Sequence, residues 1–212
     1  MKPDFKIKKV KAYNVDCVEF MAKVADNHYD LAIVDPPYGI GITGSGRLKR
    51  YNSKNTNWDD NIPSESYFQE LKRISRNQII WGGNYFLDYL GNTKCFLIWD
   101  KMQPEKLSFS SAELAWTNFN SVTKTFKKFP VGIDGGNRIH PTQKPVILYK
   151  WLLSNYAKTG DKIIDTHGGS CSIGCACLDM DFDIDIMEID KEYFVNAVKR
   201  LQKNNQEYFD FA

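Results

Sequence analysis

Asp30-Leu31-Ala32-Ile33-Val34-Asp35-Pro36-Pro37-Tyr38-Gly39 is the stretch whose reading decides the fold. Leu31 to Val34 is an apolar run too short for a helix, which predicts a buried strand. The run stops at an acid, two prolines and an aromatic. Neither Pro36 nor Pro37 can donate a ladder hydrogen bond, so strand pairing ends there. Each proline also holds the residue before it extended. The result is a stiff segment with the Asp35 carboxylate and the Pro36 carbonyl free to face a pocket, and the Tyr38 ring beside them. Two acceptors and a stacking face suit a planar ring with an exocyclic amine, such as adenine or cytosine.

Working outward, other short apolar runs alternate with helical patterns. Phe5 to Val15 reads as one strand, ending near Asp16, and Val18 to Val24 as a helix. Asp16 also fits a helix N-cap. Ser64 to Arg76 has helical periodicity with Ser64 as N-cap. Gln78 to Tyr85, breaking at Gly82-Gly83, Cys95 to Asp100 and Glu113 to Trp116 read as further strands. An amphipathic helix from Val146 to Tyr156 precedes a strand at Lys162 to Asp165, a helix of small residues at Ser172 to Leu178, a strand at Asp183 to Asp190 and a last helix from about Lys191 to Lys203. Strands alternating with helices predict an α/β class with a mainly parallel twisted sheet and helices on both faces.

A length of 212 residues suits a single domain with a real core. Net charge is only +2, so any nucleic-acid contact has to come from local charge. Two polar segments supply it: Gly39 to Asp60 carries Arg47, Lys49, Arg50 and Lys54 with Tyr51 and Trp58, and Thr117 to Arg138 carries Lys124, Lys127 and Lys128. A merely solvated loop is an equal reading of the first. No apolar stretch has membrane length and the N-terminus does not read as a signal peptide, which points to the cytoplasm. The five cysteines form no disulfide-like framework. Cys171, Cys175 and Cys177 with His167 raise a zinc site. Residues two apart on a helix do not share a face, however, so they are read as compact core thiols and no metal is expected.

The unit Lys162–Asp165, Thr166-His167-Gly168-Gly169-Ser170-Cys171, helix, strand, Glu188 has the form of a βαβ nucleoside site: glycines admit the ligand to the backbone, and an acid some twenty residues on grips ribose hydroxyls. The turn lacks both the dinucleotide glycine spacing and the P-loop lysine. If the strands ending in Asp165 and Asp35 are neighbours where strand order reverses, a cofactor and a target base meet across one crevice.

Three motifs in this order, Asp35 to Tyr38, His140-Pro141-Thr142-Gln143-Lys144-Pro145 and Asp165 to Ser172, resemble the S-adenosylmethionine-dependent DNA amino-methyltransferases, adenine-N6 and cytosine-N4, in their permuted beta group. The resemblance runs over nearly the whole chain. It implies a Rossmann-like methyltransferase fold with a catalytic part over 1–116, a short target-recognition segment over 117–138 and a cofactor part over 139–212. It also implies roles. Asp35, Pro36, Pro37 and Tyr38 are catalytic. Asp165, Gly168, Gly169 and Ser170 line the methionine end of the cofactor, Glu188 binds its ribose, and Asp16 with the Cys17 backbone its adenine. His140, Thr142 and Lys144 flank its tail and sugar, and Asp35 and His167 complete the set. Where the family usually has Gly-Ser-Gly, this chain has Gly169-Ser170-Cys171, and a cysteine at φ > 0 costs about 1–2 kcal/mol.

The implied reaction is methylation of a base extruded from double-stranded DNA. An Asp-Pro-Pro-Tyr start resembles adenine-N6 enzymes more than cytosine-N4 ones, so adenine is the expected target and cytosine the close alternative. RNA or protein-glutamine methylation, or a DNA-binding regulator without turnover, are the remaining readings. The family resemblance permits a homodimer and a cognate restriction endonuclease. Gly39 to Asp60 is expected to close over the flipped base. Thr117 to Arg138 is expected to lie outside the sheet and touch DNA through Lys124, Lys127 and Lys128.

Overall fold

A computed structural model describes residues 1–42, 58–104, 110–130 and 138–210. Its strands are β1 (Phe5–Ile7), β2 (Val10–Tyr13), β3 (Tyr29–Val34), β4 (Ser75–Trp81), β5 (Phe96–Asp100), β6 (Ala112–Thr117), β7 (Lys124–Lys127), β8 (Lys162–Asp165) and β9 (Asp183–Met187). Its helices are α1 (Cys17–Met21), α2 (Glu65–Ile74), α3 (Leu87–Leu90), α4 (Val146–Tyr156), α5 (Ser172–Met180) and α6 (Lys191–Asp210). All nine strands join one sheet in the order β1-β2-β9-β8-β3-β4-β6-β5-β7. The run from β2 to β4 is parallel, as is β5 with β7, while β1 and β6 run against their neighbours. This is the expected α/β class.

Apolar side chains alternate across the sheet with period two, and both sides are covered. Leu31 and Ile33 face a cluster holding Leu148 and Leu152 of α4, Ile173 of α5 and Leu201 of α6. Ala32 and Val34 face the opposite cluster, with Phe20 of α1, Phe68 and Leu71 of α2 and Leu90 of α3. A strand buried on both faces needs a continuous apolar run, which is why Leu31 to Val34 shows no polar alternation. Each such Leu or Ile stabilises the fold by about 1.5–3 kcal/mol.

The decisive adjacency is β3 beside β8, parallel, with Leu31 opposite Ile163 and Ala32 opposite Ile164. From β3 the chain proceeds to β4 on one side, and from β8 to β9 on the other. Strand order therefore reverses between them, and a crevice opens beyond their carboxyl ends.

Three local expectations change. Phe5 to Val15 is a hairpin rather than one strand: β1 pairs antiparallel with β2, Ile7 opposite Val10, and Lys8 takes φ +50 at the turn. The apolar positions Phe5, Ile7 and Val10 already break the two-residue period there. Thr117 to Arg138 does not stay outside the sheet. Lys124 to Lys127 becomes edge strand β7 against β5, with Phe126 packed on Trp151 at 5.5 Å. Lysines on such an edge discourage further strand pairing. Ser64 sits at the start of α2 without capping it, its hydroxyl bonded to Ser66 at 2.8 Å instead. Cys171, Cys175 and Cys177 are buried core residues. No helix of the described residues is long and apolar enough to cross a membrane.

Candidate active site

Two cavities meet over the reversal point. The first, about 540 Å³, is lined from the β8 side by His167, Gly168, Gly169, Ser170 and Glu188, from the β2–α1 connection by Asp16 and Cys17, and from the middle motif by His140, Thr142 and Lys144. Asp35 and Pro37 close it on the β3 side. The glycine turn is close to the sheet by necessity: a Cβ on Gly168 would lie 2.7 Å from Ile186 Cγ2 and 3.1 Å from the Met187 carbonyl.

The acids around this cavity first organise backbone. Glu188 accepts from Gly169 N–H at 2.7 Å and from Asp190 N–H at 2.8 Å, which fixes the turn against β9. Burial raises its carboxyl to about 7. Asp16 caps α1, accepting from Val18 N–H at 2.8 Å and Glu19 N–H at 3.1 Å, so the N-cap reading holds whatever else the residue does. Asp165 does not line the cavity wall. It lies beneath, 3% exposed, accepting from His167 N–H at 3.0 Å, and burial lifts it to about 8. His140 and His167 are held neutral, lowered by burial to about 3 and about 4. His140 packs on Tyr193 at 4.5 Å and on Trp58 at 5.4 Å. Cys171 has the left-handed conformation that a glycine would take, φ +53, but its buried side chain is outside the cavity lining. The departure from Gly-Ser-Gly is thus a backbone cost of about 1–2 kcal/mol and not an obstruction.

The second cavity, about 350 Å³, is lined by Asp35, Pro36, Pro37, Tyr38, Asn84, Tyr85, Lys101 and Glu113 among others. It shares Asp35, Pro37, Trp58, Thr142 and Lys144 with the first. Tyr38 is seated by the glycine pair after β4: Gly82 adopts φ +69, and a Cβ there would lie 2.2 Å from Tyr38 Cε1. Tyr85 stacks on Tyr38 at 5.1 Å and 17°, with no room for a third ring between them.

Asp35 is not a free carboxylate. Tyr38 O–H donates to its Oδ1 at 2.6 Å, and Lys144 Nζ donates to its Oδ2 at 2.5 Å. Lys144 also pairs with Glu113 at 2.9 Å, and Glu113 with Lys101 at 2.6 Å. Burial raises Asp35 above the usual carboxylate range, although Lys144 opposes it. Glu113 goes the other way: burial pushes it up, but Lys144 and Lys101 together hold it at about 2. Burial lowers Lys144, yet Asp35 and Glu113 outweigh that and keep it protonated.

The His-Pro-Thr-Gln-Lys-Pro segment thus sits between the two cavities, its lysine on the Asp35 carboxylate. Sequence reasoning missed Lys101, Glu113 and Asp59. Glu113 left one signal, an acid inside the apolar strand Ala112–Thr117. Lys101 left none, since only the antiparallel pairing of β5 with β6 brings it to Glu113. Buried Asp59 accepts from the N–H groups of Tyr38, Gly39 and Ile42 at 2.7, 3.2 and 3.0 Å, which ties it to the segment that follows the two prolines.

The expected DNA-contacting lysines are separated. Lys124 hydrogen-bonds Asn155 at 3.1 Å and covers Tyr156 at the C-terminal end of α4. Lys127 and Lys128 lie at the other end of β7, where Lys127 pairs with Asp100, toward the crevice end of the sheet. Arg47, Lys49, Arg50, Tyr51 and Lys54 lie outside the described residues.

Comparison with known proteins places this geometry. Residues 78–199 match the N6/N4 family model described as DNA methylase. The chain belongs to the N6/N4 DNA methylase family. This methylase is 23% identical over 240 residues to the type II methyltransferase M2.MboI of Moraxella bovis, covering 91% of this chain and 88% of that protein. Among solved structures, that of the M1.HpyAVI–SAM complex matches with a TM-score of 0.61 at 20% identity, covering 91% of the methylase and 98% of that chain. The PvuII DNA methyltransferase, described as cytosine-N4-specific, matches with a TM-score of 0.66 at 11% identity, covering 97% and 94%. These likenesses support the Rossmann-like methyltransferase fold expected from the ordered motifs.

Proposed function

We propose that this methylase transfers a methyl group from S-adenosylmethionine to the N6 amine of an adenine flipped out of double-stranded DNA. The observation that carries the reading is the meeting of the two cavities at Asp35. The first fits the cofactor chemically: a close-approach glycine turn, Glu188 acceptors for ribose hydroxyls, and the Asp35 carboxyl at the border with the second cavity. When bound, the cofactor supplies an electrophilic methyl group on a sulfonium.

The residues on the other side have to make a poor nucleophile reactive. An adenine amine donates its lone pair into the ring. Accepting its two hydrogens on Asp35 and on the Pro36 carbonyl favours a tetrahedral nitrogen with its lone pair free. Positioning and fixed charges of this kind can supply most of a rate enhancement. Asp35, raised by burial, is also suited to receive the proton that the methylated nitrogen must lose. Tyr38 offers a stacking face, and Tyr85 has to move or leave the other face to the base.

Adenine is favoured by the acid that opens the Asp-Pro-Pro-Tyr motif. Cytosine N4 is the second reading, supported by the likeness to a cytosine-N4-specific enzyme and by the suitability of the same two acceptors for a cytosine amine. The likeness to a type II methyltransferase supports a place in restriction–modification. The test is to incubate the protein with duplex DNA and methyl-labelled cofactor and to digest the product to nucleosides. N6-methyladenine is expected, with none from D35N. Label in RNA or protein alone, or tight DNA binding without label, would overturn the proposal.

A further inference from the structure

Four charged groups lie in a row behind the reacting position, and the proposed chemistry uses only the first. Asp35, Lys144, Glu113 and Lys101 alternate in sign, with separations of 2.5, 2.9 and 2.6 Å. Side-chain exposure is 18%, 3%, 20% and 15% along the row, so water screens the inner links weakly. We propose that Glu113 and Lys101 are positioning residues for methyl transfer: through the Lys144 ammonium they govern the negative charge that Asp35 offers to the target amine. The inference rests on the proposed role of Asp35.

Lys144 alone beside Asp35 would make a tight buried pair whose carboxylate is a weak acceptor for anything else. Glu113 shares the same ammonium. Its negative charge cancels part of the lysine's field at Asp35 and holds the ammonium between the two acids. Lys101 limits that effect, because it neutralises Glu113 from the far side. Topology makes the row possible: Asp35 and Lys101 follow the parallel strands β3 and β5, while antiparallel β6 brings Glu113 in from its own amino end.

Passing a proton along the row is disfavoured. Burial raises Glu113, but Lys144 and then Lys101 outweigh it and hold it at about 2, so it does not accept a proton near neutral pH. The row therefore acts as a fixed field. Asp35 is also faced by Tyr38, Asp165 of β8, Tyr149 of α4 and Tyr67 of α2. None of these groups is removed by E113Q or K101M, so both variants are compared against the same set of neighbours.

The plainer alternative is that Lys101–Glu113 merely staples β5 to β6. The two accounts separate on sign. In the full-length protein, the Asp35 carboxyl is titrated by carbon-13 NMR with labelled aspartate, assigned by its loss in D35N. E113Q removes an anion and should lower the Asp35 midpoint by about one pH unit, while K101M removes a cation and should raise it. The acid limb of kcat should move in the same two directions, with KM for DNA changing less than about twofold. Unmoved midpoints, or shifts of one sign in both variants, would overturn the proposal. If E113Q does not fold, the direction in K101M decides alone. Absence of methyl transfer by the unaltered protein would sink the role of Asp35 in catalysis, while the NMR titration still reports on the row itself.

Discussion

Alanine at Gly82 would disturb the base-side cavity without touching a charged group. Two costs combine. The position has φ +69 and ψ 20, where a side chain costs about 1–2 kcal/mol. The added methyl would also sit 2.2, 2.5 and 2.7 Å from three carbons of the Tyr38 ring. Overpacking of that kind costs about 1–3 kcal/mol, for a total of about 2–5 kcal/mol. Gly160 supplies the control: it has φ +92 and open space where a methyl would go, which leaves only the backbone cost. Any gain from a less flexible unfolded chain applies to both substitutions and cancels in the comparison. Urea denaturation of G82A and G160A should therefore differ by about 1–3 kcal/mol. Activity should separate further. A displaced ring withdraws the Tyr38 hydroxyl from Asp35, now at 2.6 Å, and from Lys144, at 3.2 Å. Loss of such a bond is worth about 1.5–3 kcal/mol, or roughly ten- to a hundredfold in methylation rate. Cofactor affinity should hold, since Gly82 lines only the second of the two cavities. A G82A protein as stable as G160A and fully active would refute the seating of Tyr38 on this glycine.

Other perturbations test other parts of the site. E188A should weaken cofactor binding about ten- to a hundredfold by calorimetry with little change in DNA binding, and an unchanged dissociation constant would place the ribose elsewhere. The Glu188 carboxyl, raised to about 7, accepts hydroxyl donors best when ionised, so cofactor affinity should rise with pH through that value. Titrations between about pH 6 and pH 8 check this, and E188Q should flatten the dependence. Replacing Lys127 and Lys128 with alanine should reduce the salt slope of DNA binding by about one per lost phosphate contact. Lys124, engaged with Asn155 at the opposite end of β7, should contribute nothing to that slope when replaced alone.

The sequence declared those parts of the molecule whose physics is local. Leu31 to Val34 needed no partner to read as a buried strand, and two prolines marked where it had to stop. The glycine turn before α5 and the acid after β9 were legible for the same reason. What stayed hidden depends on distant pairing. Nothing near Lys101 or Glu113 announces that they meet, because the antiparallel insertion of β6 between β4 and β5 has no local signature. Nothing in the sequence around Asp59 signals that it accepts from the backbone N–H groups of Tyr38, Gly39 and Ile42. The β1–β2 hairpin does have a local sign, the skipped step in the alternation of Phe5, Ile7 and Val10, which a single strand over Phe5 to Val15 does not accommodate. The edge strand β7 was harder to read: Lys124-Thr125-Phe126-Lys127 offers a single apolar residue to signal its pairing.

The contact between β3 and β8 has a consequence for how the molecule is made. Leu31 and Ile163 are direct neighbours in the sheet, and Val10 and Ile184 are likewise neighbours, although each pair is joined by well over a hundred intervening residues. Closing a loop of that size costs about 4 kcal/mol before a constant is added, and it must be met before the central strands are covered. On the ribosome, β3 and β4 emerge with one edge bare until β8 has been synthesised. Folding should be slow and late, governed by distant strand pairing rather than by helix formation. The bare edge of β3 is then the place where a nascent or truncated chain would pair with the wrong partner.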